Sequence, residues 1–222
     1  MEILRLSNAG VALTVAGYTV AVDAFNTDCV QPYLGTDMAL LGAVNADCVA
    51  FTHAHPDHFN AHIAAGYLAA HPDTRVVCGP QAQHELIAAG VSAWRFCSGE
   101  RDICGLPIRL FRTRHIGPAW HEYEHFSIMI GEGLAIITGD ALPLSSNFEG
   151  ERANTVIAPF AYAMSKAGFR AVRDVMQAQN LVIVHLPDAA NDPEQLNSKI
   201  CVDMDTSGVA VYTPLVGESV QI

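Results

Sequence analysis

Residues 51–60 read Phe-Thr-His-Ala-His-Pro-Asp-His-Phe-Asn, which puts His53, His55, Asp57 and His58 within six consecutive positions. Pro56 keeps the stretch from running as a regular helix, so the four side chains can turn in different directions from a loop. One tetrahedral cation does not comfortably take four ligands from six adjacent residues. A division between two ions fits better, with His53 and His55 facing one and Asp57 and His58 the other. An isolated histidine usually belongs to a hydrogen-bonded polar loop, whereas the pattern HxHxDH points to metal binding.

A two-ion centre also needs a bridging anion and closing ligands from elsewhere. The run Ala-Ile-Ile-Thr-Gly-Asp-Ala supplies Asp140 just after an apolar stretch, and Gly139 lets the backbone approach closely. The two oxygens of a carboxylate can bridge ions about 3.5–4 Å apart. Leu-Val-Ile-Val-His ends on His185. For the remaining ligand there are three histidines, His115, His121 and His125, in the segment RTRHIGPAWHEYEHFS. His115 directly follows the strand-like IRLFRTR and so shares the strand-end placement of the others, which favours it over His121. The histidines not used can line the pocket or donate to substrate. His71-Pro72-Asp73 repeats the HPD triplet without a second histidine before it and reads as a helix stop. His62 and His84 fall within helical patterns and take no part in the chemistry.

A water held between two cations loses its proton near neutral pH and becomes a nucleophile, while the ions polarise a carbonyl or phosphoryl oxygen of the substrate. The expected activity is hydrolysis of a small ester, lactone or phosphodiester, with Asp57 also relaying a proton to the leaving group. Two divalent ions are expected. Zinc suits the histidine-rich set, and manganese or iron also suits this mixture of imidazole and carboxylate. Two other readings use the same ligands. One is a di-iron redox or oxygen-binding protein, which would need a partner to deliver electrons because the chain has no flavin or iron–sulfur motif. The other is a metal-stabilised binding module without turnover.

These residues must be carried by a scaffold, and the pattern describes one. EILRLSN, GVALTVAG and YTVAVDAF alternate in polarity and read as a meander of antiparallel strands. ADCVAFTH is a further strand that ends on the histidine cluster. NAHIAAGYLAAH reads as a helix capped by Asn60, TRVVCGP as a strand, and QAQHELIAAG as a helix closed by Gly90. The second half follows with strands in LPIRLFRTRH, in HFSIMIGEGLAIITGDA, in NTVIAP and in LVIVHLPD. MSKAGFRAVRDVMQAQN reads as one helix with Ala167, Val172, Val175 and Met176 near one face. Two β-rich halves, each followed by helices, imply two sheets packed face to face with helices outside. Asp23, His53, Asp140 and His185 all sit at strand ends and can meet at one edge of such a sandwich.

The chain has 222 residues, half of them hydrophobic and 16% charged, which is ample for one core and reads as a single domain over 1–222. With 12 Lys and Arg against 23 Asp and Glu, the net charge is −11. A chain so acidic, with no basic cluster, is not expected to bind nucleic acid. No apolar run is long enough to span a membrane, and MEILRLSNAG reads as a first strand rather than a leader, so a cytoplasmic protein is expected. The six cysteines are scattered without a CxxC pair and read as buried free thiols. The expected partner is a small-molecule substrate, and association into a homo-oligomer stays open.

Taken together, these motifs resemble the metallo-β-lactamase superfamily over nearly the whole chain. THAHPDH carries the family signature and is the most specific element. LSNAGVALTVAGYTVAVDAF is similar to the family's opening strands, whose aspartate, here Asp23, orients the cluster. SGERDICGLPIRLFRTRH resembles the run that leads to the third-motif histidine in ascorbate-6-phosphate lactonase-like proteins, and so supports His115. TGDA matches the bridging-aspartate motif, although the family more often has Thr or Ser where Ala141 stands. VIVHLPD matches the final histidine. The resemblance implies an α+β fold, the αββα four-layer sandwich. It also implies one ion on His53, His55 and His115, a second on Asp57, His58 and His185, and Asp140 bridging them. The insertion and basic arm of RNA-cleaving relatives and the electron-transfer domain of flavin-linked di-iron relatives are absent from the pattern. A compact metallo-hydrolase of the lactonase-like or small phosphodiesterase-like kind is therefore implied.

Overall fold

The computed structural model describes residues 1–26, 35–97, 101–103, 106–118, 122–187, 192, 195–196, 199–200 and 208–222. The first sheet begins with β1 (Glu2–Arg5), β2 (Val11–Val15) and β3 (Tyr18–Val22), which pair antiparallel as the alternating pattern requires. β4 (Cys48–Phe51) and β5 (Arg75–Cys78) then add in parallel. Parallel neighbours need crossovers, and helices supply them: α1 (Met38–Ala43) before β4, and α2 (Ala61–Ala70) between β4 and β5. α3 (Pro80–Ala88) follows β5.

The second sheet has two parts. Its antiparallel part is β6 (Arg101–Ile103), β7 (Leu106–Arg112), β8 (Phe126–Ile130) and β9 (Ala135–Ile137). β10 (Thr155–Pro159), β11 (Asn180–Val184) and β12 (Ala210–Tyr212) continue it in parallel. β13 (Ser219–Gln221) returns to the first sheet beside β1. Among the described residues the orders are β13-β1-β2-β3-β4-β5 and β12-β11-β10-β9-β8-β7-β6.

Residue parity assigns each strand's side chains to a layer. In β4, Cys48 and Ala50 join the layer between the sheets, where Ile128, Ile137, Ile157 and Val182 meet them. Val49 and Phe51 face the other way, into a cluster with Leu41, Leu68 and Leu86 of the first helices. In β11, Val182 and Val184 point inward, whereas Leu181 and Ile183 pack with Tyr162, Val172 and Met176. Three apolar layers between two sheets and flanking helices make the αββα sandwich.

The helix expected over 164–180 forms over a shorter span, from its Ser165 cap to Val175. α4 (Phe160–Ala163) precedes α5 (Lys166–Arg170), and the chain then widens into π-type winding over Ala171–Val175. Gly168 packs so closely on the Tyr162 backbone that a Cβ there would lie 2.5 Å from its Cα. Gln177 stops the helix in a left-handed conformation, φ +54°. α1, α4, β12 and β13 carry no sequence signal strong enough to have been anticipated. Of the cysteines, Cys48, Cys78 and Cys97 are free thiols, and burial pushes the Cys78 thiol up to about 12. Cys29, Cys104 and Cys201 lie outside the described residues.

Two hydrogen bonds join the sheets at one edge: Phe126 N donates to Thr52 O at 2.9 Å, and His185 N to Asn8 O at 2.9 Å. The ends of β3, β4, β9 and β11 gather there. Ile157, at the centre of β10 and fully buried between the sheets, should be expensive to truncate. Ile157→Ala is expected to cost about 2–5 kcal/mol in chemical denaturation. Exposed Ile87→Ala should change stability by no more than about 0.5 kcal/mol.

Candidate metal centre

After Phe51 the chain makes a tight turn in which His58 N and Phe59 N both donate to His55 O at 2.9 Å. Asn60 then caps α2 through its side chain, which accepts from His62 N and Ile63 N. His62 is thereby carried off on the helix, and His71 stops it and stacks on Tyr67 at 4.0 Å.

Asp23, just past β3, holds both ends of the turn. Its Oδ1 accepts from Thr52 N at 2.8 Å, and its Oδ2 accepts from Thr52 Oγ1 at 2.6 Å and from His58 Nδ1 at 2.9 Å. The Thr52 hydroxyl spends its hydrogen on Asp23, so toward His53 Nδ1, 2.9 Å away, it can only accept. His53 and His58 therefore hold a hydrogen on Nδ1 and turn Nε2 toward the centre. His115 does the same, because its Nδ1 donates to the Ile116 carbonyl. Metal-ligating histidines are oriented in this way.

The nitrogens converge in pairs. His53 Nε2 and His115 Nε2 are 3.2 Å apart, and His58 Nε2 and His185 Nε2 are 3.0 Å apart. Asp140 serves both pairs. Its Oδ1 lies 3.4 Å from His58 Nε2 and 3.3 Å from His185 Nε2, and its Oδ2 lies 3.8 Å from His115 Nε2. Asp57 Oδ2 is 3.9 Å from His58 Nε2. Two nitrogens on one tetrahedral zinc stand about 3.3 Å apart, so both pairs are spaced to share an ion. The structure thus brings His53, His115 and Asp140 to one position, and Asp57, His58, Asp140 and His185 to another. Each group draws ligands from both sheets.

His55 stands outside both groups. Its Nδ1 pairs with Asp57 Oδ1, and its ring lies parallel to that of His53 at 5.9 Å. His121 lies outside the described residues. His125 is buried beside His53, with ring centroids 4.7 Å apart. Its Nδ1 lies 2.8 Å from Thr113 Oγ1, which lies 3.1 Å from Ser127 Oγ, whose hydroxyl donates to Thr138 O. Following the hydrogens along this chain, His125 Nδ1 donates and Nε2 keeps a lone pair. Nε2 has no hydrogen-bond partner among the described residues. It faces Gly139, where a Cβ would come within 2.9 Å of it and 2.7 Å of Thr52. An unpartnered acceptor beside these rings again fits a site built around cations.

Sequence reasoning missed Asn8 and Thr52. Thr52 immediately precedes the cluster and could have been suspected, whereas Asn8 gives no local signal. Asn8 Nδ2 donates to Asp57 Oδ2 at 3.2 Å and to His185 Nδ1 at 2.8 Å, so that in the metal-free arrangement the ring hydrogen of His185 lies on Nε2, unlike those of His53 and His115. Beside His115 opens a cleft of about 520 Å³ lined by Arg112, Arg114, Tyr123, Glu122, Glu124 and Asn147 among others. Tyr123 stands edge-on to His55 at 5.0 Å.

Burial presses His53 well below the ordinary histidine value, and His58 and His125 add to this. Burial also presses His58 down, but the carboxylates of Asp140 and Asp23 outweigh it and raise His58 well above that value. Burial works to raise Asp140, yet His185 and His58 hold it well below the usual carboxylate range. In the metal-free protein, then, His58 keeps a proton at neutral pH that an ion must displace. Uptake at the second position should release a proton and tighten as pH rises through the raised His58 value. Calorimetry in buffers of differing ionisation enthalpy checks this. The protonated pair also stabilises the metal-free fold, fully so below the ordinary histidine value, and that contribution is lost as pH rises through the raised one. Gly139→Ala, which forces a side chain into a φ of +52° against Thr52 and His125, should cost roughly 1–3 kcal/mol. It should also weaken metal binding by moving Asp140.

Comparison with protein-family models finds no match, and comparison with curated proteins finds none. Solved structures do match. Igni18, a metallo hydrolase from Ignicoccus hospitalis, is 17% identical with a TM-score of 0.70, over 99% of this chain and 97% of its own. An isothiocyanate hydrolase from Delia radicum gut bacteria is 15% identical with a TM-score of 0.69, over 100% and 99%. The metallo-β-lactamase fold protein YhfI from Bacillus subtilis is 15% identical with a TM-score of 0.66, over 98% and 97%. At such identity the likeness is one of architecture, and the architecture of this chain is the metallo-β-lactamase fold.

Proposed function

We propose that the protein is a metal-dependent hydrolase that holds two divalent ions, zinc first among them, and acts on a small ester, lactone or phosphodiester. The observation that carries this reading is the sharing of one carboxylate, Asp140, between two sets of converging imidazoles, one of which, His115, also lines an open cleft. When bound, such ions supply an activated water and a Lewis acid for the substrate oxygen.

The chain's own residues do the rest. His53 and His115 would bind at the first position through Nε2, and His55, whose ring stands 5.9 Å from that of His53, would join them by turning away from Asp57. His58, His185 and Asp57 bind at the second. Burial works to raise Asp57, but His58 and His185 hold it below the usual carboxylate value. It is ionised at neutral pH and can take up a proton and pass it to a departing group. Tyr123 and the Arg112–Glu124 pair, 2.8 Å apart, form the cleft wall against which a substrate would rest.

Metal analysis of the purified protein, followed by a screen of lactones, phosphodiesters and thioesters with added Zn²⁺ or Mn²⁺, tests the proposal. Two ions per chain and metal-dependent turnover are expected. Asp140→Asn should lower turnover by about 100-fold or more, as removal of a group that stabilises transition-state charge does, and loosen both ions. His115→Ala should remove the first ion and activity together, whereas His125→Ala should keep most of the metal and change turnover. A metal-free protein under saturating zinc, or turnover untouched by Asp140→Asn, would sink the reading. A coloured, iron-loaded protein without hydrolytic turnover would point to redox chemistry instead.

A further inference from the structure

Arg5 closes β1 and is 1% exposed. A guanidinium stays charged, so burying it is costly unless its donors find acceptors. Nε donates to Ser7 O at 3.1 Å, Nη1 to Pro214 O at 3.0 Å, and Nη2 to Asn8 O at 3.3 Å and Leu186 O at 2.6 Å. One planar group thus ties together three segments remote in sequence, and these acceptors are all main-chain carbonyls.

Two of those carbonyls bear directly on the second ion position. Asn8 O also accepts from His185 N, and the Asn8 side chain reaches both His185 Nδ1 and Asp57 Oδ2. Leu186 follows His185, whose φ of +58° is a conformation that a residue other than glycine keeps only where its surroundings hold it. The first position is held by different groups. His53 leans on Thr52 and His115 on the Ile116 carbonyl.

We propose that Arg5 and Asn8 form a positioning device dedicated to the second ion position. Arg5 fixes the main chain around the Asn8–His185 contact, and Asn8 sets the spacing between His185 and Asp57. A lysine cannot replace Arg5, because a point donor cannot span three carbonyl-bearing segments in one plane. The proposal rests on the two-ion reading above.

The test titrates metal-free wild type, Arg5→Lys and Asn8→Ala with Co²⁺, following visible absorption and bound stoichiometry, and records the melting temperature of each metal-free form. His115→Ala, which lacks the first position, identifies the binding event that belongs to the second. Wild type should bind in two steps. Each variant should keep the first step unchanged and weaken the second by about 10–100-fold, the usual effect of losing a group that orients a metal ligand. A lower melting temperature with both steps unchanged, or with both weakened alike, would show a merely structural role and overturn the proposal. If Arg5→Lys does not fold, Asn8→Ala decides by the same criterion. Wild type that takes up one ion or none overturns the two-ion reading and this proposal with it. Two ions in wild type and in every folded variant, equally tight, overturn this proposal alone.

Discussion

The carboxylate of Asp23 is the constraint on which the site depends. A buried carboxylate is tolerated only when donors surround it, and this one takes a main-chain N–H, a hydroxyl and an imidazole N–H from a single turn of chain. In accepting from Thr52 it fixes which nitrogen of His53 bears hydrogen, and in accepting from His58 it does the same there. Both candidate ion positions therefore lean on one side chain. Asp23 can serve in this way because its N–H donates to Ala50 O at 3.1 Å, so that it stands level with the end of the neighbouring strand. The cost is a left-handed φ of +49°.

The second sheet reaches the same place by a different device. An isolated bridge pairs His115 with Ala141, and Ile116 N donates to Asp140 O at 2.8 Å. The ligand after β7 and the carboxylate after β9 are thereby cross-braced, and the Tyr162 hydroxyl supports the turn by donating to Ala141 O at 2.9 Å. The chain is strongly acidic overall, yet at this edge imidazoles outnumber carboxylates. Local composition, not net charge, decides what the centre can hold.

How far the sequence could be read followed the range of the interactions involved. The sandwich was legible because strand parity and helix caps are local: Asn60 announces α2, and the alternation in YTVAVDAF announces β3. HxHxDH was legible because its side chains come from one turn. Asn8 was not, since its meaning arises only when the loop after β1 meets the end of β11. The early end of the helix over 164–180 was hidden as well, because the residue that stops it in a left-handed conformation is Gln177 and not a glycine. The side of the centre on which His55 rests was also beyond sequence, since its pairing with Asp57 is a choice among rotamers.

Each group of converging ligands takes members from both sheets, and the sheets are held apart by a close-packed layer of Ile, Val and Leu side chains. That layer works as the spacer of a calliper whose jaws are the strand ends. Packed interiors compress very little, so the gap between the jaws is set by side-chain volume tens of residues away in sequence. Cations differ in radius and in preferred coordination. On the metal-binding reading proposed above, the preference for one cation over another is partly written into apolar residues that never touch it, and exchanging a valine for an isoleucine in the core would shift it.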